Sequence, residues 1–208
     1  MKTDQAAEHL QTIRTLMERS ALYRRALAPV MTLNGIVGMV GGIGGWLLKI
    51  NSTRGFVLFW CGLALAALAG SFLLVRRQAM KDSEPFWSPP TRRVSEALLP
   101  ALFVGAFLSL VLAYRFETPE GDIQLVSVMM WAWFYGCAIC SAGFFMPRGI
   151  KLLGWFFIIA GCCVLGWLLS ASEARSCPPH LVMGVVFGGL HLAYGIYLYL
   201  TEKRKNAA

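Results

Sequence analysis

Six long apolar runs constrain the fold of this chain more than any other feature of its sequence. Each run is long enough, at about 1.5 Å per residue, to cross a hydrocarbon core of roughly 30 Å as a helix. Lipid offers the backbone no hydrogen-bond partners, and the runs lack the alternation of polar and apolar residues typical of barrel strands. We therefore predict an all-α membrane protein with six transmembrane helices. The predicted spans cover residues 26–48, 55–75, 97–114, 123–146, 152–169 and 181–200.

The composition agrees with this class of protein. Of the 208 residues, 57% are apolar and 14% are charged, which leaves too little polar surface to coat a soluble domain. The net charge of +8 would fit a nucleic-acid-binding protein only if the basic residues gathered on one folded face. They lie instead in short clusters between the apolar runs. Membrane lipid, and not nucleic acid, is the predicted partner.

The basic clusters also predict the orientation of the chain in the membrane. Fifteen of the nineteen Lys and Arg residues precede span 1, follow span 6, or lie in the loops after spans 2 and 4. The opposite side carries only Lys49, Arg54, Arg115 and Arg175. By the positive-inside rule, both termini are predicted to be cytoplasmic. The predicted location is the cell (inner) membrane, which the chain crosses several times.

Residues 1–25 have no apolar core of the kind that a cleaved signal peptide carries. An apolar stripe predicts an amphipathic helix before the first span, and it consists of Leu10, Ile13, Leu16 and Met17. This helix could lie on the anionic inner leaflet, pack on the cytoplasmic loops or form a dimer contact. We therefore divide the chain into an interfacial helix (1–25), a six-helix transmembrane domain (26–200) and a basic cytoplasmic tail (201–208).

Similar short motifs recur along the chain and predict an internal repeat. A basic pair, or an Arg and a nearby Lys, precedes spans 1, 3 and 5, in YRRALAP, TRRVSEALLP and PRGIKLLG. The returning spans share glycines set among aromatic residues, in FWCGLALAALAGSF, WFYGCAICSAGFF and VFGGLHLAYGIYL. These motifs predict three tandem helical hairpins, each entering and leaving on the cytoplasmic side. A chance likeness among apolar helices is the alternative.

Over about its last ninety residues, the chain resembles the HdeD-like, DUF308 group of small bacterial six-span membrane proteins. The resemblance is carried by WAWFYGCAICSAGFF, by GIKLLGWFFIIAGCCVLGWLL and by GLHLAYGIYLYL. The N-terminal segment and the EPFWSPPTRR connector depart from that pattern. The resemblance implies an envelope or stress-related membrane protein without established catalysis.

Glycines indicate which helices approach one another most closely. Gly38 and Gly42 in span 1 are one turn apart, as are Gly184 and Gly188 in span 6. Such pairs of small residues let two helix backbones come together. We predict helix packing at these four positions. By α-helical spacing, His191 continues the stripe of span 6 and faces protein.

His191 is the most informative polar residue inside a predicted span. As a neutral ring it could bond to a carbonyl, a Ser or Asn34 on a neighbouring helix and contribute on the order of 1 kcal/mol. As a titrating group it would be a proton acceptor, a metal ligand or a substrate contact in a polar cavity. Because no predicted span holds a carboxylate or a second histidine to assist it, we favour the hydrogen-bonding role for His191 and Asn34.

Four cysteines in neighbouring spans raise the alternative of a thiol cluster. Cys137 and Cys140 form a C-x-x-C pair in span 4, and Cys162 and Cys163 lie in the middle of span 5. Such a cluster could exchange electrons or bind a soft metal. Cysteine is also a small apolar residue suited to close packing, and we favour that interpretation. A disulfide between Cys61 and Cys177 is a weaker alternative.

Two classes of function remain open at the level of sequence. The first is a non-catalytic inner-membrane protein that binds a partner, another membrane protein or a second copy of itself, or modulates the envelope. The second is a small transporter or channel for an apolar or weakly polar solute. No phosphate-binding loop, catalytic triad or set of metal ligands is evident, so we predict no cofactor and no enzyme activity. The connector at 76–96 carries Phe86 and Trp87, which are typical of interfacial anchors.

Overall fold

The computed structural model describes residues 26–81, 87, 89–116, 121–146, 149–170 and 177–206, and the regular structure within them is helical. Six helices are long and apolar enough to cross a membrane, so the chain is a multi-pass membrane protein. We number them spans 1 to 6. The helices are Ala26–Leu47, Thr53–Lys81, Pro89–Arg115, Gly121–Ala142, Gly149–Ser170, and a last one that runs through Pro179–Met183, a π-helical turn at Gly184–Gly189, and Leu190–Asn206. The predicted amphipathic helix at 1–25 lies outside the described residues.

Span 1 ends in a Schellman turn. Lys49 adopts the left-handed conformation, with φ of 52°, and its N–H donates to the carbonyl of Trp46. The N–H of Ile50 donates to the carbonyl of Gly45, which completes the pattern. The turn satisfies the last carbonyls of the helix and leaves the carbonyl of Ile50 available to another span.

Local capping explains where spans 2 and 3 begin. The Ser52 hydroxyl accepts a hydrogen bond from the N–H of Gly55 at 3.1 Å, so Ser52 caps span 2. Span 3 begins at Pro89, eight residues before the predicted start, because proline suits the first turn of a helix. Pro100 consequently lies inside span 3, where it removes one backbone hydrogen bond from the ladder.

Span 4 is the centre of the bundle. It packs extensively against spans 3 and 5, and more lightly against spans 2 and 6. Its fully buried residues Leu125, Val128 and Ala132 belong to a core that Phe157 of span 5 and Phe56 of span 2 complete. The close packing of span 4 on span 5 joins helices that the hairpin prediction places in different units. The described spans therefore do not separate into three isolated pairs.

Span 4 is also shorter than predicted. Its helix ends at Ala142, and residues 143–146 form turns instead of continuing to Met146. The N–H of Gly143 still donates to the carbonyl of Ile139, but the next N–H groups bond only three residues back. These shorter-range hydrogen bonds end the α-helix at Ala142, before span 5 begins at Gly149.

Candidate functional site

His191 lies in the interior of the bundle with both ring nitrogens hydrogen-bonded. Its Nδ1 is 2.7 Å from the carbonyl oxygen of Phe187, and its Nε2 is 2.8 Å from the Tyr135 hydroxyl on span 4. A carbonyl can only accept, so the proton of the neutral ring sits on Nδ1 and the Tyr135 hydroxyl donates to Nε2. The side chain is only 3% exposed. The neutral ring therefore has a partner for each nitrogen and joins span 6 to span 4.

Aromatic rings from three spans surround this hydrogen bond. The ring of Phe157 on span 5 lies 5.2 Å from the His191 ring, and that of Tyr135 lies 5.3 Å from it. Phe187 packs on Tyr135 and Phe157 at 5.6 and 5.1 Å. We call Tyr135, Phe157, Phe187 and His191 the inner node. Its geometry excludes competing polar groups from the imidazole and holds the ring in one orientation.

The π-helical turn explains why His191 faces spans 4 and 5. By α-helical spacing, His191 was expected to continue the stripe of Gly184 and Gly188. The turn at Gly184–Gly189 winds fewer degrees per residue than an α-helix, which shifts the following residues around the helix axis. The backbone of Leu192 instead meets Gly35 of span 1. The prediction that His191 lies on the glycine stripe is therefore wrong, although the ring does face protein.

Asn34 is not the partner of His191. Its Oδ1 accepts a hydrogen bond from the Ser71 hydroxyl of span 2 at 3.1 Å. The neighbouring residue Gly35 faces span 6, so consecutive positions of span 1 serve two different neighbours. Asn34 is thus an interhelical polar contact, but it joins span 1 to span 2 and lies apart from the inner node.

The four predicted packing glycines lie face to face between spans 1 and 6. A Cβ added at Gly38 would come within 2.7 Å of the Gly188 backbone, and one at Gly42 within 2.8 Å of the Gly184 backbone. Farther along the same interface, a Cβ at Gly195 would lie 2.7 Å from the Thr32 hydroxyl. This end of the interface faces the cytoplasm in the predicted orientation. We call this interface, from Thr32 to Gly45 on span 1, the glycine seam. At Gly38 and Gly42 backbone touches backbone, so no larger residue fits at these two positions without displacing a helix.

A second close approach joins spans 4 and 5, and it was not predicted from the sequence. A Cβ at Gly136 would come within 2.8 Å of the Gly154 carbonyl, and one at Gly161 within 3.2 Å of the Met129 carbonyl. Gly136 lies in the FYGC motif and Gly154 in the LLGW motif. Ala132 and Cys140 lie one turn on either side of Gly136 and were part of the signal, but Gly154 has isoleucines, Ile150 and Ile158, at the corresponding positions.

The same register separates the four cysteines of the proposed thiol cluster. Cys140 lies level with Gly154, and its thiol donates to the carbonyl of Lys151 at 3.7 Å. Span 5 runs antiparallel to span 4, so Cys162 and Cys163 lie level with Met129, about eleven residues or roughly 16 Å from Cys140. Cys137, Cys162 and Cys163 are exposed on the surface of the bundle. The structure therefore does not bring the two pairs together, and Cys61 and Cys177 are likewise free thiols.

A second buried histidine, His180, forms a polar contact at the opposite end of span 6. Its Nδ1 lies 3.1 Å from the indole nitrogen of Trp60, and its Nε2 lies 2.9 Å from the carbonyl of Ile50. An indole N–H can only donate and a carbonyl can only accept. The proton of the neutral ring therefore sits on Nε2, the reverse of His191. Phe56 and Phe59 pack on the His180 ring at 4.7 and 5.5 Å.

We call His180, Trp60, Phe56 and Phe59, with the Ile50 carbonyl, the outer node. It fastens span 6 to the connection between spans 1 and 2. His180 lies one residue before the predicted start of span 6, and its partners were not predicted from the sequence. The available signal was Trp60, an aromatic residue whose N–H must find an acceptor once its ring is buried. The matching signal for His191 was Tyr135.

Further polar contacts lie at the end of the bundle that contains the outer node. The Gln124 side chain donates to the backbone carbonyl of Asn51 at 2.6 Å. The Arg54 guanidinium lies 5.1 Å from the centre of the Tyr114 ring, within the range of a cation–π contact. The connection between spans 1 and 2 is thereby held by both span 4 and span 6.

These contacts engage Tyr135, Trp60, Gln124 and both histidines in internal hydrogen bonds, whereas the buried hydroxyls of Ser109 and Tyr194 have no hydrogen-bond partner in the part of the chain that the structure describes. Within the ranges that the structure describes, no group of three or more His, Cys, Asp or Glu residues could hold a metal ion. In comparisons with known proteins, no family model, no curated protein and no solved structure matches the chain. The resemblance to the HdeD-like group therefore stays a prediction from its motifs.

Proposed function

We propose that this chain is a non-catalytic protein of the bacterial inner membrane that acts by binding another membrane protein within the bilayer. Both termini are cytoplasmic in this proposal, and the six spans derive from three tandem hairpins. The distribution of basic residues supports the orientation, and the HdeD-like motifs support the bacterial envelope. The absence of catalysis is supported by the two buried histidines, because each has both ring nitrogens engaged within the chain.

The observation that carries the proposal is a face of small residues on span 2. Gly62, Ala66 and Ala69 recur at helical spacing and are exposed. A Cβ at Gly62 would meet no atom within 4 Å. Span 2 is buried mainly at its outer end, around Phe56 and Trp60. A surface of this kind lets another helix approach closely, whereas branched side chains would suffice for contact with lipid.

The proposed occupant of this face is a transmembrane helix of a second copy or of another membrane protein. Leu65 flanks the face and Leu73 continues it one turn beyond Ala69, and these side chains are exposed by 68% and 60%. Ridges beside a small-residue groove favour van der Waals packing with another helix. The alternative function, transport of an apolar or weakly polar solute, would require a passage that reaches the inner node.

Site-specific photo-crosslinking in intact membranes tests the proposal. A photoreactive residue at Leu65 should give a discrete crosslinked protein, whereas the same residue at Phe103, which is 73% exposed on span 3, should react with lipid. Gly62→Leu should abolish the product at Leu65. Co-expression of two differently tagged copies shows whether the product contains a second copy. Reaction with lipid alone at both positions would contradict the proposal.

Cysteine labelling from each side of the membrane tests the orientation separately. In a background without native cysteines, probes at Lys81 and Arg148 should react from the cytoplasm, and probes at Asn51 and Glu120 from outside. The predicted C-terminal tail should be reached only from the cytoplasm. An external C-terminus would overturn the proposed topology but would leave the crosslinking result intact.

A further inference from the structure

We propose that the outer node is a pH-sensitive latch, in which protonation of His180 releases Trp60 and loosens span 6 from the connection between spans 1 and 2. This inference goes beyond the proposed partner binding and does not depend on it. It rests on the chemistry of the two groups that the His180 ring contacts.

Each hydrogen bond of His180 has a fixed direction. The Trp60 indole offers only a donor, so Nδ1 must accept, and the Ile50 carbonyl offers only an acceptor, so Nε2 must donate. A proton added at Nδ1 would turn it into a second donor that points at the Trp60 N–H. The hydrogen bond between spans 2 and 6 would then be lost, while the bond to Ile50 could persist.

The inner node responds differently because its partner is a hydroxyl. The Tyr135 oxygen can donate to the neutral ring or accept from a protonated one. Protonation of His191 would therefore reverse a hydrogen bond without removing it. The contrast singles out His180 as the histidine at which protonation must break a contact between helices.

The surroundings of His180 offer no compensating acceptor among the contacts that the structure describes. The ring touches uncharged groups: the backbone side of Gly45 on span 1, and Phe56, Phe59 and Trp60 on span 2. The titratable side chains at the same end of the bundle are Lys49 after span 1, Arg54 and Asp122 in the first turns of spans 2 and 4, and Cys177 before span 6. Arg54 is held over the Tyr114 ring, which places its charge on the side of span 3.

Release of Trp60 would act on two spans at once. The Ile50 carbonyl belongs to the last residue of the Schellman turn that ends span 1. Gly45, in the glycine seam of the same span, packs against the His180 ring. A His180 ring that turns to keep its Ile50 bond or to stack on Phe56 must also move against Gly45. In the proposed orientation this end faces the outside, so the latch would sense the pH there.

Nitrogen-15 labelling of histidine tests the latch directly, because the sequence contains only three histidines. In nanodiscs at pH 8, His180 should be protonated on Nε2 alone and His191 on Nδ1 alone; His180→Gln and His191→Gln variants assign the signals. As the pH is lowered from 8 to 4, the His180 ring should gain its second proton and the Trp60 indole N–H signal should shift, with Trp60→Phe identifying that signal. A His180 ring that stays neutral, or a Trp60 signal that does not move, would overturn the proposal.

Thermal unfolding across the same pH range provides a second readout. The neutral ring makes a bond that the protonated ring lacks, so stability should be greatest at pH 8 and should fall as imidazole gains its proton between about pH 8 and 4. We expect a decrease of about 2–4 °C in the unfolding temperature of the wild type. His180→Gln, which can accept from Trp60 and donate to Ile50 without titrating, should make the decrease smaller by the part that His180 contributes.

His191→Gln is the matched control and should retain the part of the decrease that His180 contributes, which Trp60→Phe should lose. If His180→Gln fails to fold, Trp60→Phe provides the same test, because a chain without the indole donor has no bond to lose on acidification. An equal decrease in the wild type and in the His180→Gln or Trp60→Phe variant would overturn the latch.

Discussion

The glycine seam and the small-residue face of span 2 have similar sequences and opposite surroundings. In the seam, Gly38 and Gly42 meet the backbone of Gly188 and Gly184. On span 2, Gly62 has the same helical spacing to Ala66 and yet faces open space. Small residues one turn apart thus permit a close approach, but what fills the groove depends on which helix lies opposite. The seam is filled by this chain, and we propose that the face on span 2 is filled by another.

The largest expected effect comes from placing the same bulky residue in each groove. Gly42→Leu should remove most of the folded protein from the membrane, because its Cβ would lie 2.8 Å from the Gly184 backbone, which has no freedom to move aside. Gly188→Leu should behave in the same way. Gly62→Leu should leave the folded amount unchanged. Quantitative size-exclusion of detergent extracts measures all three.

Ile196→Leu, at a position that is 51% exposed on span 6, controls for the general effect of substitution in that helix. It should be tolerated. Similar losses at Gly42 and Gly62 would remove the distinction between the two grooves.

The next effect concerns the polar contact beside the seam. His191→Leu should lower the free energy of unfolding by about 1–3 kcal/mol, because it leaves the Tyr135 hydroxyl and the Phe187 carbonyl without their partner. His191→Gln can replace both bonds and should remain close to the wild type. Thermal or denaturant unfolding in nanodiscs measures the difference. If both variants were as stable as the wild type, the inner node would not hold spans 4 and 6 together.

Two cysteines of span 4 provide the same comparison between a buried close approach and an exposed surface. Cys140→Leu should destabilise the fold by about 1–3 kcal/mol, because the thiol already lies against the Gly154 backbone and a larger side chain overfills the space. Cys137→Leu, on the exposed surface of the same helix, should be neutral. Unfolding in nanodiscs measures both variants, and equal effects would show that Cys140 does not pack at a close approach.

The smallest expected effect lies between spans 1 and 2. Asn34→Ala removes the acceptor of the Ser71 hydroxyl and should cost about 0.6 kcal/mol, the average for such bonds inside membranes. A double-mutant cycle with Ser71→Ala isolates the pair. A coupling energy of zero would show that spans 1 and 2 are joined by apolar packing alone.

The number of spans and the glycine seam were accessible from the sequence because each depends on a local pattern. Length and hydropathy determine whether a helix can cross a bilayer, and glycines one turn apart mark a surface where helices can touch. The positions of Gly38, Gly42, Gly184 and Gly188 therefore needed no knowledge of the rest of the chain.

The partners of the histidines were not accessible because they depend on long-range geometry. A π-helical turn moved His191 away from the stripe of Gly184 and Gly188, and the residues VVFGG do not predict such a turn. The Ile50 carbonyl became an acceptor for His180 only because Lys49 adopts a left-handed conformation unusual for its residue type. The thiol cluster failed for a similar reason, since the register of spans 4 and 5 separates the two cysteine pairs.

Disulfide trapping across the seam tests the central claim, that spans 1 and 6 are joined backbone to backbone within one chain. A Cβ at Gly195 would lie 2.7 Å from the Thr32 hydroxyl and 3.3 Å from its Cα, so cysteines at these two positions come within reach of a disulfide once the two backbones separate slightly. In a background without native cysteines, mild oxidation of Thr32→Cys/Gly195→Cys in membranes should give an intramolecular crosslink in nearly every folded chain. Val40→Cys/Gly195→Cys, with position 40 exposed, should give none. Equal crosslinking of the two pairs, or none at 32 and 195, would contradict the account.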